Sequence, residues 1–141
     1  MNATKISLGT AQFGLKYGIN SANGQVKSEE VGNILCYAHL QNIDLLDTAP
    51  AYGNSEQVLG EADIQNFKIV TKTRHFGQTK ISDKDVTLLT NDLNQSLQLL
   101  KKKSVYGVLV HNANDLFKPG ADKIIRQLEL LKKQGLISKI G

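Results

Sequence analysis

Two hydrophobic periodicities alternate along the chain. Short segments rich in apolar and β-branched residues, with side chains alternating between two faces, predict β-strands. They occupy residues 5–10, 43–48, 67–73, 104–111 and 137–141. The longer segments between them repeat apolar residues every three or four positions, which predicts amphipathic helices. The expected order of elements is therefore β-α-β-α-β-α-β-α-β.

The predicted helices carry start and stop signals. Ser28 is a favourable N-cap for the first helix. Ser82, with Asp85 three residues later, forms a variant of the capping box at the third. The fourth helix has Pro119 near its start and Gly135 just past its end, the asymmetry expected of helix termini. The buried faces are predicted to consist of Val31, Ile34, Leu35 and Ala38; Val58 and Leu59; Val86, Leu89, Leu93, Leu97 and Leu100; and Ile124, Ile125, Leu128 and Leu131.

Strand and helix alternation of this kind implies a parallel sheet, either an open doubly wound sheet or part of an eight-stranded barrel. A doubly wound nucleotide-binding sheet carries G-x-G-x-x-G in a tight turn after its first strand. Here the first connection is "AQFGLKYGINSANGQVK", which is long and has a different glycine spacing. The pattern therefore favours the barrel.

The chain length sets how much of a barrel is present. A complete barrel of this type needs about 250 residues, and this chain has 141. We therefore expect residues 1–141 to form the N-terminal half of a single (β/α)8 barrel, from the first strand to the fifth, with no second domain. An alternative is a half-barrel that associates with another copy of itself through its exposed strand edges.

Composition narrows the class of protein. Hydrophobic residues make up 40% and charged residues 21% of the chain, which is typical of globular proteins. The apolar runs are much shorter than the roughly 20 residues that span a bilayer, and the N-terminus has no signal-peptide core. The single cysteine, Cys36, allows no internal disulfide, so we expect a cytoplasmic protein. Cys36 itself is interpreted as a small buried hydrophobe.

The net charge of +4 does not indicate a nucleic-acid partner. The lysines concentrate at residues 101–103 and 132–133, near the ends of predicted helices. Cations there complement the helix dipole, and no aromatic residues are interleaved with them. We therefore expect neither a nucleic-acid nor a membrane partner.

Polar residues occur where several predicted strands end. Asp47 and Tyr52 follow the second strand, Lys72 lies near the end of the third, His111 ends the fourth, and Thr10 ends the first. In a parallel barrel the active site forms at the carboxyl ends of the strands, so these side chains would meet at one mouth. Each also has a structural interpretation: a turn cap, a half-buried aromatic ring, a surface lysine or a core histidine.

Lys72 is the least easily explained of these residues. The segment "FKIVTKT" places Lys72 on the same pleat face as Val70 and opposite Ile69. A lysine on an inward face needs a carboxylate partner or a functional reason. His39 and His75, in a helix and a loop, have no comparable neighbours in the sequence and are interpreted as incidental.

The residue types at the mouth suit one kind of chemistry. A tyrosine hydroxyl normally has a pKa near 10, and an adjacent lysine ammonium favours the phenolate. An aspartate keeps the lysine charged and in place, and a histidine can orient a carbonyl oxygen. Such a set protonates a carbonyl oxygen on which negative charge develops. No metal is expected at this site.

The sequence resembles the aldo-keto reductase family, whose motifs occur here in the family's order. The matching segments are "LGTAQFG" at 8–14, "DLLDTAPAYGNSEQVLGEA" at 44–62, "IVTKT" at 69–73, "VLVHN" at 108–112 and "LELLKKQGLISKIG" at 128–141. In "DTAPAYGNSE", Pro50 and Gly53 shape the turn, and Asn54 or Ser55 starts the next helix.

The resemblance implies a fold, an activity and a set of site residues. Family members are (β/α)8 barrels that transfer hydride between NADPH, sometimes NADH, and an aldehyde, ketone or sugar carbonyl. By resemblance the catalytic residues are Asp47, Tyr52, Lys72 and His111. Gly9, Thr10 and Asp47 would line the nicotinamide and ribose end of the cofactor site.

The resemblance also implies what the chain lacks. Family members hold most of the cofactor with residues beyond the fifth strand, and this chain does not contain them. The preference for NADP(H) over NAD(H) therefore comes from the resemblance to the family alone. Two alternatives stay open. One is a non-catalytic barrel subunit that serves mainly as a partner. The other is a lyase or isomerase that uses Lys72 for a Schiff base, which requires a lysine without a close carboxylate partner.

Overall fold

The fold is described from a computed structural model that covers residues 6–18 and 24–141. Within them, five parallel strands form one sheet in the order β1-β2-β3-β4-β5. The strands are β1 (Leu8–Gly9), β2 (Leu45–Asp47), β3 (Lys68–Lys72), β4 (Val105–Leu109) and β5 (Ile137–Ile140). Strict sequential order is the order of a barrel, whereas a doubly wound sheet reverses direction beside its first strand. The predicted barrel class is therefore confirmed.

Helices separate the strands as the periodicity predicts. They are α1 (Ala11–Gly14), α2 (Ser28–Leu40), α3 (Ser55–Glu61), α4 (Asp83–Leu99) and α5 (Asp122–Lys133), with a 3-10 helix at Ala113–Phe117. The sequence pattern missed α1 and the 3-10 helix, because a single turn is too short to show a periodic apolar stripe. The strands are shorter than predicted, and residue 5 of the first predicted strand lies outside the described residues.

The predicted helix ends are right at two helices and wrong at one. At α4 the capping box is present, with Ser82 N donating to Asp85 Oδ2 over 2.8 Å and Asp85 N to Ser82 Oγ over 3.4 Å. Gly135 ends α5 with φ +77°, a conformation that favours glycine. The predicted cap at Ser28 is wrong. Ser28 is the first helical residue, and its neighbour Lys27 occupies the N-cap without a side-chain hydrogen bond.

The hydrophobic core lies between the sheet and the helices. Ile124, Leu128 and Leu131 occupy one face of α5 at positions i, i+4 and i+7, and each is at most 1% exposed. Ile125, predicted to share that face, is 37% exposed, because it lies one position around the helix. Cys36, predicted to be buried, is also exposed, since it points away from the buried side of α2.

The lysine clusters lie at helix ends, as predicted. Lys132 and Lys133 occupy the last turn of α5, where cations complement the helix dipole. Lys102 follows α4, and its Nζ donates to the carbonyl oxygen of Ile64 over 2.7 Å. Across residues 6–18 and 24–141, no helix has the length and apolar character needed to cross a membrane.

Two leucines of α5 give a matched test of the core. Leu128 is fully buried and Leu130 is 50% exposed. Leu128→Ala should lower the free energy of unfolding by about 2–5 kcal/mol, since it leaves a cavity between α5 and the sheet. Leu130→Ala should change it by less than about 0.5 kcal/mol. Urea denaturation of the three proteins measures both values, and equal losses would contradict this packing.

Candidate active site

A tight turn follows β2 and carries Tyr52. The backbone N–H of Tyr52 donates to the Ala49 carbonyl over 3.0 Å, and Ser55 N donates to the Tyr52 carbonyl over 3.1 Å. Gly53 has φ +60°, which glycine adopts without steric cost. A Cβ at Gly14 would lie 1.8 Å from the Tyr52 carbonyl oxygen, so the turn contacts α1 backbone to backbone. These close contacts fix where the tyrosine lies.

Buried hydroxyl groups connect this turn to the first strand. The Thr10 hydroxyl donates to the Asp47 carbonyl over 2.9 Å, and Ser55 Oγ lies 2.9 Å from the Thr10 carbonyl oxygen. The hydroxyls of Ser55 and Thr48 lie 3.2 Å apart. The three hydroxyl residues are fully buried. Helix α3 begins at Ser55, one of the two predicted starts, but this hydroxyl bonds to β1 rather than capping the helix.

Lys72 and Asp47 form an ion pair at the mouth of the half-barrel. The Lys72 ammonium lies 2.5 Å from Asp47 Oδ1 and donates to the Thr48 carbonyl over 3.0 Å. The Lys72 side chain is only 12% exposed and that of Asp47 31%. The predicted contact is therefore present. It argues against a Schiff-base lysine, which needs a free, desolvated amine.

Tyr52 lies close to both this ion pair and His111. The Lys72 ammonium is 4.9 Å from the centroid of the Tyr52 ring. The Tyr52 ring also meets the His111 ring edge to face, with centroids 5.9 Å apart and an interplanar angle of 87°. The structure thus brings together the four residues that the sequence nominated from three different strands and their loops.

His111 is held at the end of β4. Its backbone N–H donates to the Thr73 hydroxyl over 3.2 Å. Among the described residues, its ring Nδ1 is buried and has no hydrogen-bond partner. Burial lowers the pKa of His111 below its usual value, and the charges of His75 and Lys72 lower it further, against a smaller opposing effect of Asp47. These effects favour the neutral form of His111.

His75 joins the site although the sequence interpretation set it aside. Its ring centroid lies 4.3 Å from that of His111, with the rings tilted by 57°. Its interpretation as incidental was wrong about its neighbours. His75 follows Lys72, the last residue of β3, by three residues and lies in the loop after that strand. The rule that selected the other residues, proximity to the carboxyl end of a strand, also identifies this one.

The proposed cofactor residues differ in how accessible they are to a ligand. Gly9 is exposed, pairs with Asp47 in the sheet, and has open space where a Cβ would be. A ligand can therefore approach the backbone at this point, and contact with a nicotinamide ring stays a prediction. Thr10 is fully buried, and its hydroxyl is used in the internal network, so its contact with a cofactor stays a prediction. Among the described residues, no group of three or more His, Cys, Asp or Glu could hold a metal ion.

The family model for the "Aldo/keto reductase family" matches residues 5–141. The chain belongs to the aldo/keto reductase family. Its membership rests on nearly the whole sequence and agrees with the sequential parallel sheet. No curated protein sequence matches the chain significantly.

Solved structures of aldo-keto reductases share the fold. The PA4992 protein of Pseudomonas aeruginosa, assigned to this class, is 29% identical with a TM-score of 0.80, over 100% of this chain and 56% of that protein. The thermostable aldo-keto reductase Tm1743, in complex with the inhibitor epalrestat, is 25% identical with a TM-score of 0.69, over 96% of this chain and 47% of that protein. The holo form of the aldo-keto reductase AKR11C1 from Bacillus halodurans, at 21% identity and a TM-score of 0.71, covers 100% of this chain and 47% of that protein.

This aldo/keto reductase chain spans about half the length of the solved relatives it matches. The match covers the strands from β1 to β5 and the helices between them. The predicted membership of the family and the predicted extent, roughly the first half of the barrel, are both confirmed. At 21% identity the likeness to the Bacillus protein shows the fold alone.

A buried glutamate supports the aldo/keto reductase site from the helix side of the sheet. Glu56, on α3, is 3% exposed and accepts hydrogen bonds from Thr71 Oγ1 over 2.7 Å and from Ser96 Oγ over 2.9 Å. Thr71 directly precedes Lys72, so this bond fixes the strand that presents the lysine. The sequence analysis did not single out Glu56. No signal in the sequence marked it, because its burial depends on its contacts with β3 and α4.

Glu56 should make stability depend on pH. Burial raises its pKa above the ordinary 4.5, with Asp92 adding to the increase, against the hydrogen bonds from Thr71 and Ser96. The protonated form therefore stabilises the fold below pH 4.5, and this contribution is lost as pH rises through the raised pKa. Relative to Glu56→Gln, which stays neutral, the wild-type chain should become less stable as pH rises.

Urea denaturation at a series of pH values measures that difference. Glu129, exposed on α5, gives the control variant Glu129→Gln. Its difference from wild type should show no such fall with rising pH. A wild-type chain that gains stability over Glu56→Gln as pH rises would contradict a carboxyl group whose pKa is raised by burial.

Proposed function

We propose that this protein is an NAD(P)H-dependent oxidoreductase that reduces the carbonyl group of an aldehyde, ketone or sugar. The observation that carries the proposal is the position of Tyr52, with the Lys72 ammonium 4.9 Å from its ring centroid and the His111 ring in edge-to-face contact with it. Membership of the aldo/keto reductase family supports oxidoreductase chemistry in general. The roles of the individual residues below are part of the proposal.

Tyr52 is the proposed general acid. Reduction of a carbonyl puts negative charge on its oxygen, which must then take up a proton. A cation held beside a phenol favours loss of the phenolic proton. The Lys72 ammonium is that cation, and its contacts with Asp47 and the Thr48 carbonyl hold it at the mouth. Aligned proton donation of this kind contributes about 10²- to 10⁴-fold to a rate.

His111 is the proposed contact for the substrate carbonyl. Its lowered pKa favours the neutral ring, which can donate a hydrogen bond without placing a second cation beside Lys72. Its edge-to-face contact with Tyr52 sets the two rings around a common space. A carbonyl oxygen in that space would meet both a proton donor and a hydrogen-bond donor.

The proposed cofactor is NADP(H) in preference to NAD(H). Gly9 and Asp47 are the residues of this chain that would receive its nicotinamide end, at the open backbone beside the ion pair. When bound, the reduced cofactor supplies the hydride. The remainder of its binding surface would come from the part of the barrel that follows β5. A cytoplasmic location also stays a prediction.

Replacing the phenol tests the role of Tyr52. In the complete gene product, Tyr52→Phe should reduce the rate of aldehyde-dependent NADPH oxidation by about 100-fold or more, because the ring stays and the proton donor is lost. The measurement is the loss of absorbance of the reduced nicotinamide with a panel of small carbonyl compounds, repeated with NADH.

The matched control is Tyr37→Phe. Tyr37 is 66% exposed on α2, so loss of its hydroxyl should leave the rate unchanged. Circular dichroism checks that both variants stay folded. Full turnover by Tyr52→Phe would refute the proposed acid.

Self-association is the second candidate, favoured by the open sheet. Within the described residues, β1 and β5 each pair on one side only, and unpaired strand edges promote association. Mass spectrometry and size-exclusion chromatography of the complete gene product separate the two candidates. A mass of 15.5 kDa eluting as a dimer would support a self-associating half-barrel. A larger chain eluting as a monomer would support the single complete barrel.

A further inference from the structure

A second imidazole lies against the one proposed to bind the substrate. The ring of His75 approaches the ring of His111 to 4.3 Å between centroids. The two rings differ in their surroundings. His75 is exposed, whereas His111 is partly buried and its Nδ1 is enclosed without a hydrogen-bond partner among the described residues. Histidine rings in contact form a coupled pair rather than two independent groups.

The segment that carries the second imidazole is anchored on both sides. Before it, Arg74 Nε and Nη2 donate to the two carboxylate oxygens of Asp92 over 2.5 and 2.7 Å. After it, the backbone N–H of Phe76 donates to Asp115 over 3.2 Å, and Lys118 donates to the Phe76 carbonyl. The Phe76 side chain is 2% exposed. The backbone that carries the imidazole is therefore held in place, while the ring itself is exposed to solvent.

Electrostatics decide which ring of the pair carries a proton. Two imidazolium cations in contact repel each other, so the first proton on one ring opposes a second on the other. His111 is partly desolvated and faces the Lys72 ammonium, while water can hydrate a cation on His75. Asp47 offers little compensation to His111, because its carboxylate is bound to Lys72. The groups facing His111 are His75, Lys72, Asp47, Tyr52 and Thr73.

We propose that His75 is a positioning residue for His111: it carries the proton of the imidazole pair and so keeps His111 neutral and in place as the pH falls. A neutral His111 stays beside Lys72 without adding a repulsive charge, and Tyr52 keeps its neighbours. The consequence for catalysis rests on the proposed function above. The predicted titration of the two rings is independent of the proposed function.

Nuclear magnetic resonance tests the titration directly. The sequence contains three histidines, His39, His75 and His111, so each imidazole C2–H signal can be assigned by single substitutions. In His75→Phe the ring contact remains but the ring can no longer take a proton. The titration midpoint of His111 should therefore move to higher pH in His75→Phe, and also in His75→Gln. His39 lies on α2 and packs against Phe67, and its titration midpoint should not change.

The outcomes distinguish an effect of the charge on His75 from simple shielding of His111 by the His75 ring. An unchanged or lowered His111 midpoint in His75→Phe would overturn the proposal. So would a rise in His75→Gln alone, because the ring of His75 would then only shield His111 from water. His39→Gln is the control and should leave the His111 midpoint unchanged. His75 is exposed, so its variants should keep the fold, which circular dichroism verifies.

The pH profile of the complete gene product tests the catalytic consequence. If His111 must be neutral to position the carbonyl, the acidic limb of the reductase profile should move to higher pH in both His75 variants. An unmoved limb, with wild-type activity present, would overturn the positioning role. If the wild type shows no reductase activity but the His111 midpoint shifts as expected, the proposed function fails and the proton-carrying role of His75 stands.

Discussion

The ion pair between Lys72 and Asp47 is the interaction on which the site depends. The two side chains come from adjacent strands, and their contact is 2.5 Å long with the lysine only 12% exposed. Removing either partner would leave a charge that is partly shielded from water and uncompensated, which is costly. The Lys72 ammonium also donates a hydrogen bond to the Thr48 carbonyl. Strand register is therefore directly coupled to the electrostatics of the mouth.

The sheet is fixed from both of its faces around this pair. On the side that faces the mouth, Asp47 of β2 and Lys72 of β3 form their ion pair. On the helix side Thr71, the residue before Lys72, donates to the buried Glu56 of α3. The turn after β2 is bound back to β1 through the buried hydroxyls of Thr10 and Ser55. These hydrogen bonds thus position the strands that present the charges, so the geometry of the mouth does not rely on the ion pair alone.

The half of the barrel that this chain provides has a coherent chemical character. The groups proposed to handle protons lie together, at the ends of β2, β3 and β4 and in the loops that follow them. Gly9 leaves open backbone beside them. The solved aldo-keto reductases continue for about as long again beyond the matched region. In the proposed enzyme, the acid–base chemistry and most of the cofactor binding are thus encoded in successive parts of the barrel.

The sequence by itself determined the alternation of strands and helices, the barrel class and the nomination of Asp47, Lys72 and their companions, because periodicity and residue type at strand ends are local signals. It did not determine contacts between distant segments. The ring of His75 meets His111 only because β3 and β4 are neighbours and their following loops are anchored side by side. Glu56 is likewise buried only because α3 packs against β3 and α4. The position of a residue in the sequence gives no sign of what lies opposite it in the fold, so only the tertiary structure showed these two contacts.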